Sequence, residues 1–287
     1  MELKVIATRA GRLSTFLKQE LGLSTGLMNK LKWSEKLFVN GIPRHADFPV
    51  QIGDIITADL DEPQPDYPAE DGDFTILYED AHILVVDKPA GMLIHPSRSR
   101  LTGTLANRVL GYYNRTGQKC AFHPITRLDR DTFGIVLLAK NAHIHGILTG
   151  FQAEGKIQKT YHALVFGGPE EECGIIDAPI ARRELPSLLR YVNQEGKPSQ
   201  TAFFVLERRG SITKLALQPI TGRTHQLRVH CSHMGYPILG DPQYGSEASS
   251  ACSQAMGLQS QLLCAKSLRF DHPITGEPMC VVSQLDV

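Results

Sequence analysis

The sequence predicts an α/β (α+β) protein in two parts: a small N-terminal α+β lobe and a larger domain built on a mixed, mostly antiparallel sheet. Three observations carry that prediction. From residue 74 onward short β-branched runs recur with few helical segments between them, as in strand-dominated layered folds. An acidic, proline-rich stretch, residues 61–73, breaks the apolar periodicity and has the composition of a linker. Ahead of it, residues 1–60 carry helical and strand patterns of their own.

Bulk properties narrow the function classes. A chain of 287 residues with 42% apolar side chains can bury one large core and one small one. No apolar run approaches the ~18 residues of a membrane span. The N-terminus, MELKVIATRAGRLS, has neither the apolar centre nor the cleavage site of a secretion signal. A cytoplasmic protein is therefore expected, with Asn114-Arg115-Thr116 silent as a glycosylation site. Cys120, Cys173, Cys231, Cys252, Cys264 and Cys280 form no C-x-x-C pair and read as reduced thiols. His225, His230, Cys231 and His233 match no common zinc spacing, and no metal is expected. The formal net charge is zero, but its distribution is uneven. Residues 1–60 carry +2, residues 61–80 carry −8 and residues 81–287 carry +6, so two mildly basic parts flank one acidic stretch. Such a pattern permits a nucleic-acid partner.

In the small lobe, Leu13, Phe16, Leu17 and Leu21 recur at helical spacing, with Ser14 or Gly11 as the opening and Gly22 as the stop. Leu27, Met28 and Leu31 mark a second helix. The run Leu37-Phe38-Val39 then meets Asn40-Gly41, a strong hairpin turn signal, and Gly53-Asp54 precedes a strand over Ile55-Ile56-Thr57-Ala58.

The large domain, residues 74–287, opens with strand-like runs at Phe74 to Tyr78 and His82 to Asp87, then the turn Lys88-Pro89-Ala90-Gly91. A helix is predicted from Leu105 to Tyr113. The charged loop Arg127-Leu128-Asp129-Arg130-Asp131 follows and runs into the apolar strand Gly134 to Ala139. Charged side chains at the mouth of a rigid strand are well placed to react with a ligand. A helix near His143 to Gln152 comes next, then a strand Lys159 to Val165 carrying Tyr161. Alternating runs cover Gln200 to Glu207 and Thr213 to Leu217. A Gly222 turn then leads into a helix, with Thr224 as the expected cap and Arg223 at the junction. Ser246 to Ser260, small and polar, reads as a surface insertion.

Several of these stretches resemble one family in order. Arg127-Leu128-Asp129-Arg130-Asp131-Thr132-x-Gly134 resembles the catalytic loop of the RluA-type pseudouridine synthases, usually H-R-L-D-x-x-T-S-G. Thr126 stands here for its histidine and Phe133 for its serine. The run Leu84 to Pro96, the K-x-Y-x-A-L-V strand at Lys159 and G-R-T-H-Q-L-R-V-H at Gly222 are similar to further family motifs. So are Gly235 to Gly245 and Leu262 to Pro273, with Cys264 where histidine is commoner. Residues 10–60 resemble the alpha-L RNA-binding domain of ribosomal-protein type, with Ser24-Thr25 in place of the usual S-R pair.

The resemblance implies a pseudouridine synthase fold and isomerisation of uridine in RNA, a reaction needing no cofactor. It implies Asp129 as the catalytic carboxylate, Arg223 as its ion-pair partner and Tyr161 as the wall against the base. Arg127 would help displace that base, as expected when the reacting atoms are hidden in a helix. Lys30, Lys32 and Lys36 would contact RNA phosphates, which position rather than read sequence. The expected partner is RNA, ribosomal RNA favoured over transfer RNA, and the expected state is a monomer without membrane association. Two other classes fit less well. A glycoside hydrolase needs carboxylates ~5–9.5 Å apart across a sugar, which Asp129 and Asp131 on one short loop do not offer. A non-catalytic RNA-binding protein would have no use for Asp129, Tyr161 and Arg223 together.

Overall fold

In a computed structural model the chain is described over residues 2–23, 25–32, 35–60, 65–97, 100–184, 187 and 189–287, excluding the side chains of Glu2, Thr25 and Lys32. The small lobe contains β1 (Glu2–Ile6), β2 (Gly11–Arg12), α1 (Leu13–Gln19), α2 (Thr25–Lys32), β3 (Leu37–Val39), β4 (Ile42–Pro43), β5 (Pro49–Val50) and β6 (Ile55–Asp59). Its four-stranded sheet runs β1-β6-β3-β4. Leu13, Phe16, Leu17, Leu31, Leu37 and Ile56 fill a core drawn only from these residues. Helix α1 opens without a side-chain cap. Its first amides, Leu13 and Ser14, donate instead to the carbonyls of Phe48 and Ala46. At the β3–β4 turn Asn40 and Gly41 both take positive φ, 51° and 77°, as a tight hairpin demands. Asn40 is further held by Asp54, which accepts from its Nδ2 at 2.8 Å. The N-G and G-D signals are thus two halves of one contact.

The large domain adds β7 (Thr75–Glu79), β8 (Ile83–Lys88), α3 (Leu105–Arg115), β9 (His123–Pro124), β10 (Phe133–Ala139), α4 (Ala142–Ala153) and β11 (Gln158–Phe166). It continues with β12 (Cys173–Asp177), β13 (Ile180–Arg182), β14 (Arg190–Val192), β15 (Gln200–Arg209), β16 (Ile212–Pro219), α5 (Gln226–His233), α6 (Glu247–Ala255), β17 (Leu263–Asp271) and β18 (Pro278–Val282). A ten-stranded sheet runs β12-β15-β16-β11-β17-β10-β8-β7, with β18 on β17 and β9 on β10. Among its described ladders only β10–β17 is parallel, so the sheet is mixed and mostly antiparallel as the strand runs predict. Strands β8 and β10 are apolar and buried almost throughout because both faces are covered. Leu84, Val86 and Val136 pack under α3, while Val85, Ile135 and Leu137 face Ile144 and Leu148 of α4. Among the described residues no helix is long and apolar enough to cross a membrane.

Two expectations are corrected, and part of the expected linker is described. Residues 65–73 lie against α3. The Glu70 amide donates to Asn107 O at 3.0 Å, and Asn107 Nδ2 donates to Pro68 O at 2.8 Å. Gly111 lets the chain lie flush on α3: a Cβ there would meet Glu70 O at 2.1 Å. Residues 61–64 of the expected linker lie outside the described residues. Ser246 to Ser260 is not merely insertion, since α6 carries a capping box between Ser246 and Ser249. It also buries Ser253, whose Oγ accepts from the Gly240 amide at 2.8 Å. Finally, α5 is opened by His225 rather than Thr224, with φ 58° and no side-chain cap.

Candidate active site

The sheet brings the charged loop to Tyr161. Across three adjacent strands, Tyr161 of β11 pairs with Ala265 of β17, and Ala265 pairs with Gly134 of β10, five residues after Asp129. Gly134 has φ 103°, and a Cβ there would lie 2.4 Å from Ala265 O, so only glycine lets the loop enter the strand this close to β17. The loop is pinned at both ends. Thr126 Oγ1 accepts from the buried Leu137 amide at 2.9 Å, and Thr132 Oγ1 accepts from Gln261 at 3.2 Å. A third anchor is Lys88, fully buried at the end of β8. Its Nζ donates to the carbonyls of Pro89, Met92 and Arg130 at 2.9, 2.9 and 2.8 Å. Burial pulls the Lys88 pKa down to about 8 although the Asp131 and Asp129 carboxylates oppose it.

Asp129 projects from this clamped loop toward α5. Arg228 Nη1 donates to its Oδ2 at 3.3 Å, and His225 Nε2 lies 3.8 Å from the same oxygen. Arg228 is itself locked. Its Nε and Nη2 bind both oxygens of the fully buried Asp241 at 2.7 and 2.8 Å, and Nη2 also donates to Gln243 at 2.9 Å. The Tyr244 ring lies under the guanidinium, 4.9 Å from centroid to Cζ. Burial works against the arginine charge, but the Asp241 and Asp129 carboxylates outweigh it and raise its pKa. The result is a fixed cation whose free edge meets a half-exposed carboxylate. Burial, with the Asp129 charge adding to it, pushes the Tyr161 phenol well above its ordinary value, so it remains neutral beside Asp129.

The predicted site residues separate under this geometry. Asp129 and Tyr161 come together. Arg223 does not reach Asp129: it precedes α5, and its Nε donates to Pro198 O at 3.2 Å. The physical reason is the helix itself, because the αL residue His225 turns the chain and places Arg228, inside the first turns of α5, over the loop. Arg127 stands exposed at the loop entrance. Arg130, exposed, pairs with the half-buried Asp131 at 2.9 Å. Lys30 is exposed on α2 and Lys36 is half-buried before β3, while the Lys32 side chain and Ser24 lie outside the described residues. Sequence reasoning missed Arg228, Asp241, His225, Tyr244 and Lys88. One signal existed: G-R-T-H-Q-L-R-V-H carries two arginines, and only the second lies within the helical run. Of the cysteine and histidine set considered for zinc, His230 is committed to Thr201 and the Ala178 carbonyl. No metal-binding group of three or more ligands occurs among the described residues.

Comparison with known proteins follows the same residues. The family model for RNA pseudouridylate synthase matches residues 82–233, which include the clamped loop, Tyr161 and Arg228. The chain belongs to the RNA pseudouridylate synthase family. It is 37% identical over 263 residues to an RNA pseudouridine synthase of Bacillus subtilis, covering 91% of this chain and 90% of that one. It is 31% identical over 288 residues to the ribosomal large subunit pseudouridine synthase C of Vibrio cholerae, covering 96% and 90% respectively. Among solved structures, human RNA pseudouridylate synthase domain containing 1 superposes with a TM-score of 0.61 at 29% identity, over 76% of this chain and 86% of that one. This synthase is thus an RNA-directed isomerase of the RluA type rather than a non-catalytic RNA-binding protein.

Proposed function

We propose that this synthase converts uridines of ribosomal RNA to pseudouridine with Asp129 as the catalytic carboxylate. The observation that carries the reading is the buried Arg228–Asp241 pair presenting one guanidinium edge to Asp129 at 3.3 Å. Pseudouridine formation breaks the N1–C1′ bond, turns the uracil and rejoins it through C5. Attack at C1′ and proton abstraction at C2′ both require an ionised carboxylate at the ribose. A cation held in place before substrate arrives keeps that carboxylate charged when RNA excludes water. Tyr161 supplies a neutral ring against the loosened base. Arg127, exposed at the loop entrance, is suited to enter the stack as the target nucleotide leaves it. Ribosomal RNA is favoured because curated relatives such as the Vibrio cholerae enzyme are large-subunit synthases. The small lobe, with Lys30, Lys32 and Lys36, would add phosphate contacts.

The test combines chemistry and mapping. Asp129→Asn is nearly isosteric but uncharged, so it should fold, bind RNA and form no pseudouridine. Pseudouridine mapping of total RNA from cells lacking the gene should show sites missing from large-subunit ribosomal RNA. Missing sites in transfer RNA alone would overturn the substrate assignment, and substantial turnover by Asp129→Asn would overturn the mechanism.

A further inference from the structure

We propose that His225 is a positioning residue for Asp129: the Tyr244 hydroxyl fixes its tautomer so that an Nε2–H faces the carboxylate. This rests on the reading of Asp129 as the catalytic group and adds a second donor to the Arg228 contact.

The argument is one of hydrogen-bond direction. Tyr244 Oη accepts from the Arg190 backbone amide at 3.0 Å. The same hydroxyl lies 2.7 Å from His225 Nδ1. With its oxygen engaged by that amide, the hydroxyl has its own hydrogen to give, and Nδ1 is the acceptor beside it. An imidazole that accepts at Nδ1 carries its hydrogen at Nε2, the nitrogen 3.8 Å from Asp129 Oδ2. The opposite tautomer would aim a lone pair at a carboxylate. Both ends of the ring therefore select the same form.

The surroundings keep the ring in that form. The charged and titratable groups facing it are Asp129 from the loop, Arg228 from α5, Arg190 from β14, and Asp241 and Tyr244 from the segment after α5. Burial leads in lowering the His225 pKa, and the two arginines add to it against the two carboxylates. The ring is thus neutral near pH 7. Its backbone sits at φ 58°, in the left-handed region, where histidine is tolerated but uncommon. That conformation faces the ring back toward the loop instead of along α5, and the edge of Tyr244 supports it at 5.7 Å between centroids. A separation of 3.8 Å is one small loop movement from a hydrogen bond, and catalytic contacts commonly tighten when substrate binds.

The experiment measures kcat and KM against pH by tritium release from total RNA labelled at uridine C5 in cells lacking the gene. His225→Leu removes the donor and should lower kcat at least tenfold with KM unchanged. Without the Nε2–H the charged carboxylate is less favoured, so the acid limb of kcat moves to higher pH. His225→Gln returns an N–H at similar reach and should recover most of the loss. Tyr244→Phe keeps the ring beneath Arg228 but frees the tautomer, giving a smaller loss in the same direction. Equal losses in the Leu and Gln variants with an unmoved acid limb would reduce His225 to packing and overturn the proposal. Wild-type kcat in His225→Leu would do the same, and if that variant does not fold, wild-type behaviour of Tyr244→Phe decides against it. An active Asp129→Asn control would instead indict the assignment of Asp129.

Discussion

Replacing Lys88 by Met should separate stability from activity. Methionine keeps the length and apolar stem but removes the charge and three donors. Holding a buried ammonium costs free energy: a pKa drop from 10.5 to about 8 corresponds to ~3 kcal/mol at 1.36 per pH unit. The substitution removes that cost. Against it stands the loss of three acceptors' partners. The Met92 contact is fully buried, whereas those to Pro89 and Arg130 are partly buried and can be rehydrated. One orphaned carbonyl at ~1–3 kcal/mol, with smaller terms for the other two, nearly balances the gain. Stability near pH 7 should change little. Activity should fall steeply, because the Arg130 carbonyl, adjacent to Asp129, loses the anchor that sets the loop. The pH dependence supplies an independent check. The folded-state pKa lies below the unfolded one, so between about pH 8 and 10.5 the unfolded chain holds a proton the folded one has released. Stability of the parent must therefore rise through that window by up to ~3 kcal/mol relative to the variant. Denaturant unfolding of both proteins at pH 7.5, 9 and 10 gives the difference directly, since other titrating groups are common to both. Parallel curves for the two proteins would refute the account of Lys88.

Arg228→Met should reduce turnover at least a hundredfold and destabilise the fold by ~3–5 kcal/mol, because Asp241 is left charged and buried; Arg223→Met should do neither, and paired kinetics and thermal melts distinguish the two arginines. Gly134→Ala forces a methyl against the Ala265 backbone and a strained φ, so a loss of several kcal/mol is expected in chemical denaturation. Deleting residues 1–60 should weaken RNA affinity and flatten its salt dependence while leaving turnover at saturating RNA largely intact, which titrations from low to high salt will show.

The sheet was legible because β-branched runs such as Ile83 to Val86 and Ile135 to Leu138 are apolar on both faces, a pattern few other structures produce. The charged loop was legible for the opposite reason: Asp129 is a charge placed where such runs begin. The choice between Arg223 and Arg228 is not legible, because sequence spacing reveals neither the left-handed conformation of His225 between them nor that Arg228 on α5 meets Asp129. The contact of residues 65–73 with α3 is not legible in composition. Acid and proline describe a spacer, yet the docking rests on Gly111 and Asn107, some forty residues away, and no local window contains both sides. Lys88 stands in a turn signal in the sequence, and its burial depends on three carbonyls that come from residues 89, 92 and 130.

The docked acidic segment has a further consequence for how the molecule meets a polyanion. Asp71 pairs with Arg115 of α3, Arg108 is turned onto the Asp73 carbonyl, and Glu79 claims the buried Lys140. Three basic side chains on this flank thus have acceptors within the chain, and the carboxylates beside them lower its positive potential. The neutral total charge thus conceals a polarity. An RNA strand is expected to meet more repulsion along α3 than near the exposed Arg127. The docked segment would then act as an electrostatic fence, and reversing the charge of Asp66 and Asp73 should raise RNA affinity at low salt if it does.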